Sequence, residues 1–233
     1  PIYVEDAAEG DLLAVHIRRV APNRDWGFSK QTANFGSLTG EVPGRMMSYN
    51  APIETRFTDW RLDRERNLAI VELPNSRLGR AEVPMHPFLG SIGVAPRFGR
   101  VEPTLTPGEY GGNMDCVETC AGVTLFLPVW VEGAYLQYGD VHALQGDGEV
   151  NGTAIEVSAE VELQVEVLKG RHAEWPRIES ETHIMTVGST RPLFDCVRVE
   201  QIALLDWLVD EYGFQREEAW QLMAQVATMR IGN

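Results

Sequence analysis

Alternation of apolar and polar residues from Pro1 to about Ile184 predicts a chain built mostly of β-strands. The clearest run is GTAIEVSAEVELQVEVLKG, where the two residue types largely alternate from Ala154 to Val167. This pattern is typical of a half-buried antiparallel strand or a bent strand pair. DLLAVHIRRV and NLAIVELP predict two more strands, and GVTLFLPVWVEGAYLQYGD predicts two strands around a turn at Glu132 and Gly133.

The pattern changes to a helical period after about residue 184. RVEQIALLDWLVDEYG carries apolar residues at helical spacing (Ile202, Leu205, Leu208 and Val209), and Gly213 is placed to end this helix. QREEAWQLMAQVATM predicts a second helix with Ala219, Leu222, Met223 and Val226 on one face. We therefore expect a mainly β fold, sandwich-like or barrel-like, over residues 1–184. We expect residues 185–233 to form a C-terminal α+β portion whose helical hairpin packs on this β core.

Two connections look long for a compact domain, from Arg24 to Asn50 and from Asn75 to Met114. Long connections are usually functional or disordered. These two lack the Ser, Lys and Glu runs that are typical of disorder, so we expect ordered loops that build a site.

The charge balance limits the partners of the chain. With 34 acidic against 20 basic residues the net charge is −14, which argues against nucleic acid and anionic membranes as partners. No apolar run approaches the length of a membrane-spanning helix. Three cysteines without a CxxC pair argue against a disulfide framework and favour a reducing, cytoplasmic setting.

Ionisable residues gather in three segments beside apolar stretches. The segments are MHPFLGSIGVAP (85–96), GEYGGNMD (108–115) and YGDVHALQGDGEV (138–150), the last continuing as NGTAIE. Ionisable groups are seldom fully buried unless they are paired or bind a metal. These segments are therefore either solvated turns or parts of one site.

The order and spacing of the three segments resemble those of the acetamidase/formamidase family, and REEAWQLMAQVATMRI is similar to that family's closing segment. The similarity extends over most of the chain. The resemblance implies hydrolysis of a short aliphatic amide to a carboxylic acid and ammonia, on a mainly β fold. It also implies further chain before Pro1 and after Asn233.

Amide hydrolysis needs an activated water, a clamp on the carbonyl oxygen and a proton donor for ammonia, and a divalent metal can supply the first two. The best candidate ligands are His86, Asp115, Asp140 and His142. Asp140 and His142 would share a face in an extended segment. These residue types suit zinc, with calcium as the alternative. We expect all four side chains to meet in one cleft.

Glu149 is the candidate general base beside that cleft, with Asp115 as an alternative. Asp147 is a further catalytic candidate that could orient a ligand or bind a second cation. The candidates for contact with the amide substrate are Gly112, Asn113 and Phe88.

The sequence is also compatible with two other functions, and it predicts that copies of the chain associate. A metal-free amidase would use Glu149 or Cys116, and a non-catalytic β protein would bind a cation or small ligand through the same acids. Because sheet edges and the apolar stripes of both helices need to be covered, we expect a homodimer or higher homo-oligomer.

Overall fold

A computed structural model describes residues 1–32, 35–36 and 55–233, and in these residues twelve strands and two α-helices form. The strands are β1 (Leu12–Pro22), β2 (Trp26–Gln31), β3 (Arg56–Asp63), β4 (Leu68–Leu73), β5 (Gly79–Pro84), β6 (Phe88–Gly93), β7 (Gly111–Asn113), β8 (Thr124–Pro128), β9 (Gln137–His142), β10 (Ala159–Leu168), β11 (Arg177–Glu179) and β12 (Ile184–Thr186). The helices are α1 (Leu193–Tyr212) and α2 (Arg216–Val226). The expected mainly β architecture with a C-terminal helical hairpin is confirmed.

The longest strands pair in a five-stranded antiparallel sheet with the order β10-β1-β8-β11-β12. Strand β10 runs along the whole of β1, from Leu12 opposite Leu168 to Pro22 opposite Ala159. From Ala159 onward the alternating run is thus one long strand and not a bent pair.

Both faces of this sheet are covered at β1, whose side chains alternate between two core clusters. Leu13, Val15 and Ile17 point into the main core cluster, whereas Leu12 and Ala14 point into a second cluster with Trp207 of α1. Because successive side chains of a strand point to opposite faces, one strand can serve two packed layers. The main core lies on one side of the sheet and the helices lie on the other.

The main core is closed by a three-stranded sheet with the order β7-β6-β9. Leu89 and Ile92 of β6 and Val141 of β9 pack into the same cluster as the five-stranded sheet. Ser91 of β6 faces Asn113 of β7 on one side and Gly139 of β9 on the other. This small sheet brings the second and third ionisable segments together.

The strand pair predicted around Glu132 and Gly133 is wrong in its pairing. Both strands exist, but β8 pairs with β1 and β11 in the five-stranded sheet, whereas β9 pairs with β6. The connection crosses between sheets with Ala134 and Leu136 buried in the core, and the N-terminal segment covers it through a bridge from Ile2 to Leu136. Apolar runs on both sides of a turn residue are compatible with a connection between two sheets as well as with a hairpin.

The two connections predicted as long site loops contain strands. The first includes β2, and its residues 33–34 and 37–50 lie outside the described part of the chain. The second includes β5, β6 and β7. Strands β2 to β5 form a four-stranded antiparallel sheet that meets the third ionisable segment at Ala143 and Ile155.

The helices follow the predicted pattern only in part. Gly213 ends α1 with a φ of 72°, and Leu205 packs against Ala219 and Met223 of α2. Three residues of the predicted stripes are exposed instead, namely Ile202 (52%), Leu222 (44%) and Val226 (63%). The proposed division at residue 184 falls on the first residue of β12, a strand of the main sheet.

Neither described helix has the combination of length and apolar composition that crossing a bilayer requires.

Candidate functional site

The site forms where β6, β7 and β9 lie side by side. Asp115 follows β7, and Asp140 and His142 belong to β9. Gly90 of β6 lies between them, since a Cβ atom there would come within 2.7 Å of His142 Cε1 and 2.9 Å of Asp115 Oδ1. A residue without a side chain is therefore needed for the two groups to approach.

Two overlapping sets of ligand-type atoms share His142. One set is Asp115, Asp140 and His142, and the other is His142, Glu149 and Glu156, with the atoms of each set within 4.8 Å of one another. His142 Nε2 lies 3.4 Å from Asp140 Oδ1 and 3.5 Å from Glu156 Oε1. Four carboxylates thus surround one imidazole.

Asp115 has the environment expected of a cation ligand. The carboxylate is 1% exposed, and its Oδ2 accepts hydrogen bonds from Asn113 Nδ2 (2.7 Å) and Asn233 Nδ2 (2.6 Å). Its Oδ1 is buried, and no described residue donates a hydrogen bond to it. Buried polar atoms are nearly always paired, and an unpaired carboxylate oxygen is costly. The donor chemistry of the site and this unpaired oxygen both fit a divalent cation.

The backbone at three of the acidic residues adopts the left-handed region. The φ angles are 44° at Asp115, 55° at Asp140 and 37° at Glu149. For residues other than glycine this conformation costs about 1–3 kcal/mol each, and such residues cluster at functional sites. Asp140 thus departs from an ideal extended strand, yet its carboxylate still lies on the same side as the His142 ring.

The acidic surroundings determine the ionisation of the site. Burial acts to lower the pKa of His142, but the hydrogen bond to Asp140 and the charges of Glu156, Asp140 and Asp115 raise it to about 9. The hydrogen bond to His142 lowers the pKa of Asp140. Burial raises the pKa of Asp115 and of Glu156 to about 6, and that of Glu149 to about 7. A bound cation would add a second positive charge beside that of His142 and would favour the ionised form of these carboxyl groups.

The structure brings together three of the four predicted metal ligands. His86 is exposed, its Nε2 lies 3.1 Å from the carbonyl oxygen of Val117, and it belongs to neither set. Asp147 is exposed and forms an ion pair with Arg230 (2.7 Å), which also binds Glu118. Asp147 therefore anchors the segment after α2 beside the site.

The three candidates for substrate contact lie next to these acids. Phe88 is fully buried, and its ring meets that of His142 edge to face, with centroids 5.1 Å apart. Asn113 lines the cleft and bonds to both Asp115 and Ser91. Gly112 has a φ of +88° and leaves no room for a Cβ beside Tyr110. Phe88 and Gly112 thus pack against residues around the site, whereas Asn113 lines the cleft itself.

Two site residues were missed by reasoning from the sequence. Glu156 occupies a polar position in the alternating run, which predicts exposure to solvent, yet its side chain is only 20% exposed and its Oε1 lies 3.5 Å from His142 Nε2. Gln145 is buried and contacts His142. Both residues lie within GDVHALQGDGEVNGTAIE, and their position in this motif is the sequence feature that could have identified them as site residues.

Cys116 does not have the environment of a nucleophile. Burial raises the pKa of its thiol to about 11, so the reactive thiolate is scarce at neutral pH. Cys116, Cys120 and Cys196 are free thiols, and the first two pack against the main core.

The acids open into a broad cleft of about 2050 Å³ that reaches α1, α2 and the segment after α2. This exceeds the roughly 300–1,000 Å³ of common ligand pockets. The function is therefore inferred from the arrangement of the four acids around His142 and not from the size of the cleft.

Fold and site together define a mainly β protein of several sheets with a candidate cation site of carboxylates and one imidazole. The sequence model of the acetamidase/formamidase family matches residues 99–231, a range that includes all four acids of the site. The chain belongs to the acetamidase/formamidase family, and the resemblance of its motifs is confirmed.

Individual relatives agree with this. The acetamidase of Mycolicibacterium smegmatis is 28% identical over 257 aligned residues, which cover 89% of this chain and 59% of that protein. The crystal structure of an acetamidase from Yersinia enterocolitica matches all of this chain and 68% of its own, with a TM-score of 0.88 and 34% identity. An acetamidase from Bacillus halodurans matches with a TM-score of 0.85 and 28% identity, over 100% of this chain and 72% of its own. The chain thus spans about three fifths of the length of the Mycolicibacterium protein.

Proposed function

We propose that this chain carries the active site of an amidohydrolase that converts a short linear amide, of the formamide or acetamide type, to a carboxylate and ammonia with the help of a divalent cation. The observation that carries the proposal is the group of Asp115, Asp140 and His142, in which Asp115 and His142 are buried and Asp115 Oδ1 has no hydrogen-bond donor among the described residues. Family membership supports the choice of a linear amide as substrate.

The residues that would hold the cation are Asp115, Asp140 and His142, with Glu156 on the far side of the imidazole. Oxygen and imidazole donors suit zinc, and the excess of carboxylates makes calcium the alternative. When bound, the cation would polarise the amide carbonyl and lower the pKa of a bound water.

Glu149 is suited to move protons during the reaction. Burial raises its pKa to about 7, so it can both take a proton from water and return one to the leaving nitrogen near neutral pH. Asn113 is held by Asp115 and Ser91 at the edge of the cleft, where its amide can orient a substrate.

Metal removal tests the proposal. We expect the purified chain to contain a stoichiometric divalent cation by elemental analysis and to release ammonia from formamide or acetamide. Dialysis against a chelator should abolish this release, and zinc or calcium should restore it, because the acids alone provide no clamp for the carbonyl oxygen.

The other functions give different results in the same experiment. Turnover that survives complete removal of the metal would indicate a metal-free amidase. A bound cation without turnover of any short amide would indicate a binding protein with the same fold. Either outcome would overturn the proposal.

We also propose that the chain forms a homo-oligomer. Apolar side chains on the outer faces of the helices are exposed, among them Phe194 (65%), Trp220 (66%) and Val226 (63%). Burial of such side chains between copies would remove apolar surface from water. Multi-angle light scattering should give a multiple of the 26.0 kDa chain mass at micromolar concentration, and a monomer mass would contradict this expectation.

A further inference from the structure

The segment after α2 runs back into the cleft beside the turn that carries Glu149. Arg230 forms an ion pair with Asp147, in which Nη2 lies 2.7 Å and Nε 3.1 Å from the same carboxylate oxygen. The carbonyl oxygen of Ile231, the next residue, accepts a hydrogen bond of 2.8 Å from the backbone N–H of Gly148. Two consecutive residues thus hold the two residues that directly precede Glu149.

The same segment is fixed to the loop that carries Asp115. Arg230 Nη1 lies 2.7 Å from Glu118 Oε1. Gly232 packs so closely that a Cβ atom there would lie 2.5 Å from the carbonyl oxygen of Met114 and 3.2 Å from that of Asp115. Residues 230–232, which we call the return segment, therefore join the loop of the buried acid to the turn of the candidate base.

The turn that carries Glu149 has an uncommon backbone. The φ angles are 81° at Gly148 and 37° at Glu149. A residue other than glycine keeps such a conformation only where the surrounding structure holds it. The N–H of Glu149 bonds within the turn, at 3.2 Å from the carbonyl oxygen of Gly146, whereas the bonds from Arg230 and Ile231 reach the turn from outside. The return segment therefore restrains the backbone from which the Glu149 side chain enters the cleft.

The geometry of Arg230 gives this restraint its direction. A single exposed ion pair contributes little to stability, because solvent screens it. Arg230 instead contacts Asp147 with two nitrogen atoms and Glu118 with the third. The planar guanidinium holds both carboxylates in fixed directions, which the single ammonium group of lysine cannot do.

We infer that Arg230 is a positioning residue that holds the turn of Glu149, through Asp147, at a fixed place relative to the loop of Asp115. The segment after the helical hairpin thus contributes to the geometry of the site, although it supplies no member of either ligand set. The effect on turnover rests on the proposed function. The restraint on the turn is a property of the chain and does not.

Hydrogen exchange of the Gly148 amide, resolved by NMR, tests the restraint without any turnover. This N–H is bonded to Ile231 in the parent, so it should be protected there. Because exchange reports local opening, we expect Arg230→Gln to raise its rate by about 10-fold or more. Gly232→Ala should raise it as well, since the added Cβ moves the return segment away from Met114 and keeps the charge of Arg230.

Steady-state kinetics with formamide or acetamide test the consequence for the reaction. A displacement of about 1 Å in a reacting group can lower a rate by about 10²-fold, so we expect Arg230→Gln to lower kcat by about 10–100-fold. KM and the cation content should stay near parental, because Arg230 belongs to neither ligand set. Arg230→Lys should give an intermediate kcat, since one ammonium group cannot hold both carboxylates.

The matched control is Arg216→Gln in the helical hairpin. Arg216 forms an ion pair with Asp206 (2.6 Å), and its side chain is 52% exposed, as is that of Arg230. It lies outside the described lining of the cleft. This variant should keep the parental kcat and the parental exchange rate of Gly148.

The results separate the inference from the proposed function. A folded Arg230→Gln variant with parental exchange of Gly148, or with parental kcat, would refute the positioning role. A parent that turns over no short amide, while Arg230→Gln exposes Gly148 to exchange, would refute the proposed function and leave the restraint in place. If Arg230→Gln does not fold, parental exchange in both Arg230→Lys and Gly232→Ala would refute the inference, and faster exchange would support it.

Discussion

Glu149→Gln is expected to lower amide turnover on the order of 10²-fold or more, with the bound cation retained, because it removes a general base and keeps its size. Glu149 is half-buried beside His142, within 4.8 Å of the nearest ligand-type atoms. Asp115, Asp140 and His142 remain to hold the cation. Elemental analysis and ammonia release from the same preparation measure both quantities.

The pH dependence gives the same test a second readout. Glu149 acts as a base only when it is ionised, so turnover of the parent should rise as the pH increases toward its pKa of about 7. A bound cation stabilises the carboxylate, which places the rise at or below this value. Glu149→Gln should remove the rise.

The matched control is Glu181→Gln, since Glu181 lines the same cleft and is exposed. It should keep parental turnover. Turnover retained in Glu149→Gln would move the role of the base to Asp147 or Asp115.

Asp115→Asn is expected to lower cation affinity by more than about 100-fold, and turnover with it. Changes in groups that only orient a ligand cost about 10–100-fold, and Asp115 would be a direct ligand. Its buried Oδ1 has no hydrogen-bond partner in the described part of the chain. Calorimetric titration with zinc and with calcium measures the loss.

The same variant should not lower the stability of the metal-free chain. Burial raises the pKa of Asp115 to about 6, so its neutral form favours folding at low pH, and this contribution is lost as the pH rises through about 6. Asparagine cannot ionise, and its oxygen can still accept from Asn113 and Asn233. At pH 8 we expect a free energy of unfolding equal to or above that of the parent.

Asp59→Asn on β3 is the matched control, since Asp59 is exposed and lies outside both ligand sets. Cation affinity unchanged in Asp115→Asn would remove Asp115 from the ligand set. Affinity lost together with a large loss of stability would assign Asp115 a structural role.

Local patterns along the chain predict the individual strands and helices and the residue types of the site. Alternation predicted β1 and β10 because a strand with a buried face must repeat every two residues. Gly213 predicted the end of α1 because its left-handed conformation favours glycine. The three ordered motifs contain all the acids that lie together in the site. Their order also indicates the family to which the chain belongs.

Which of these elements are neighbours depends on how the whole chain packs. Alternation shows which face of a strand is buried but not which strand pairs with it, so it does not reveal that β8 and β9 belong to different sheets. For the same reason the sequence does not show that Glu156 lies close to His142 or that His86 lies outside both ligand sets. Contacts such as Gln145 with His142, Asp115 and Gly232 depend on three chain segments meeting. Pairings between residues distant in sequence come from packing of the whole core, and no local pattern records them.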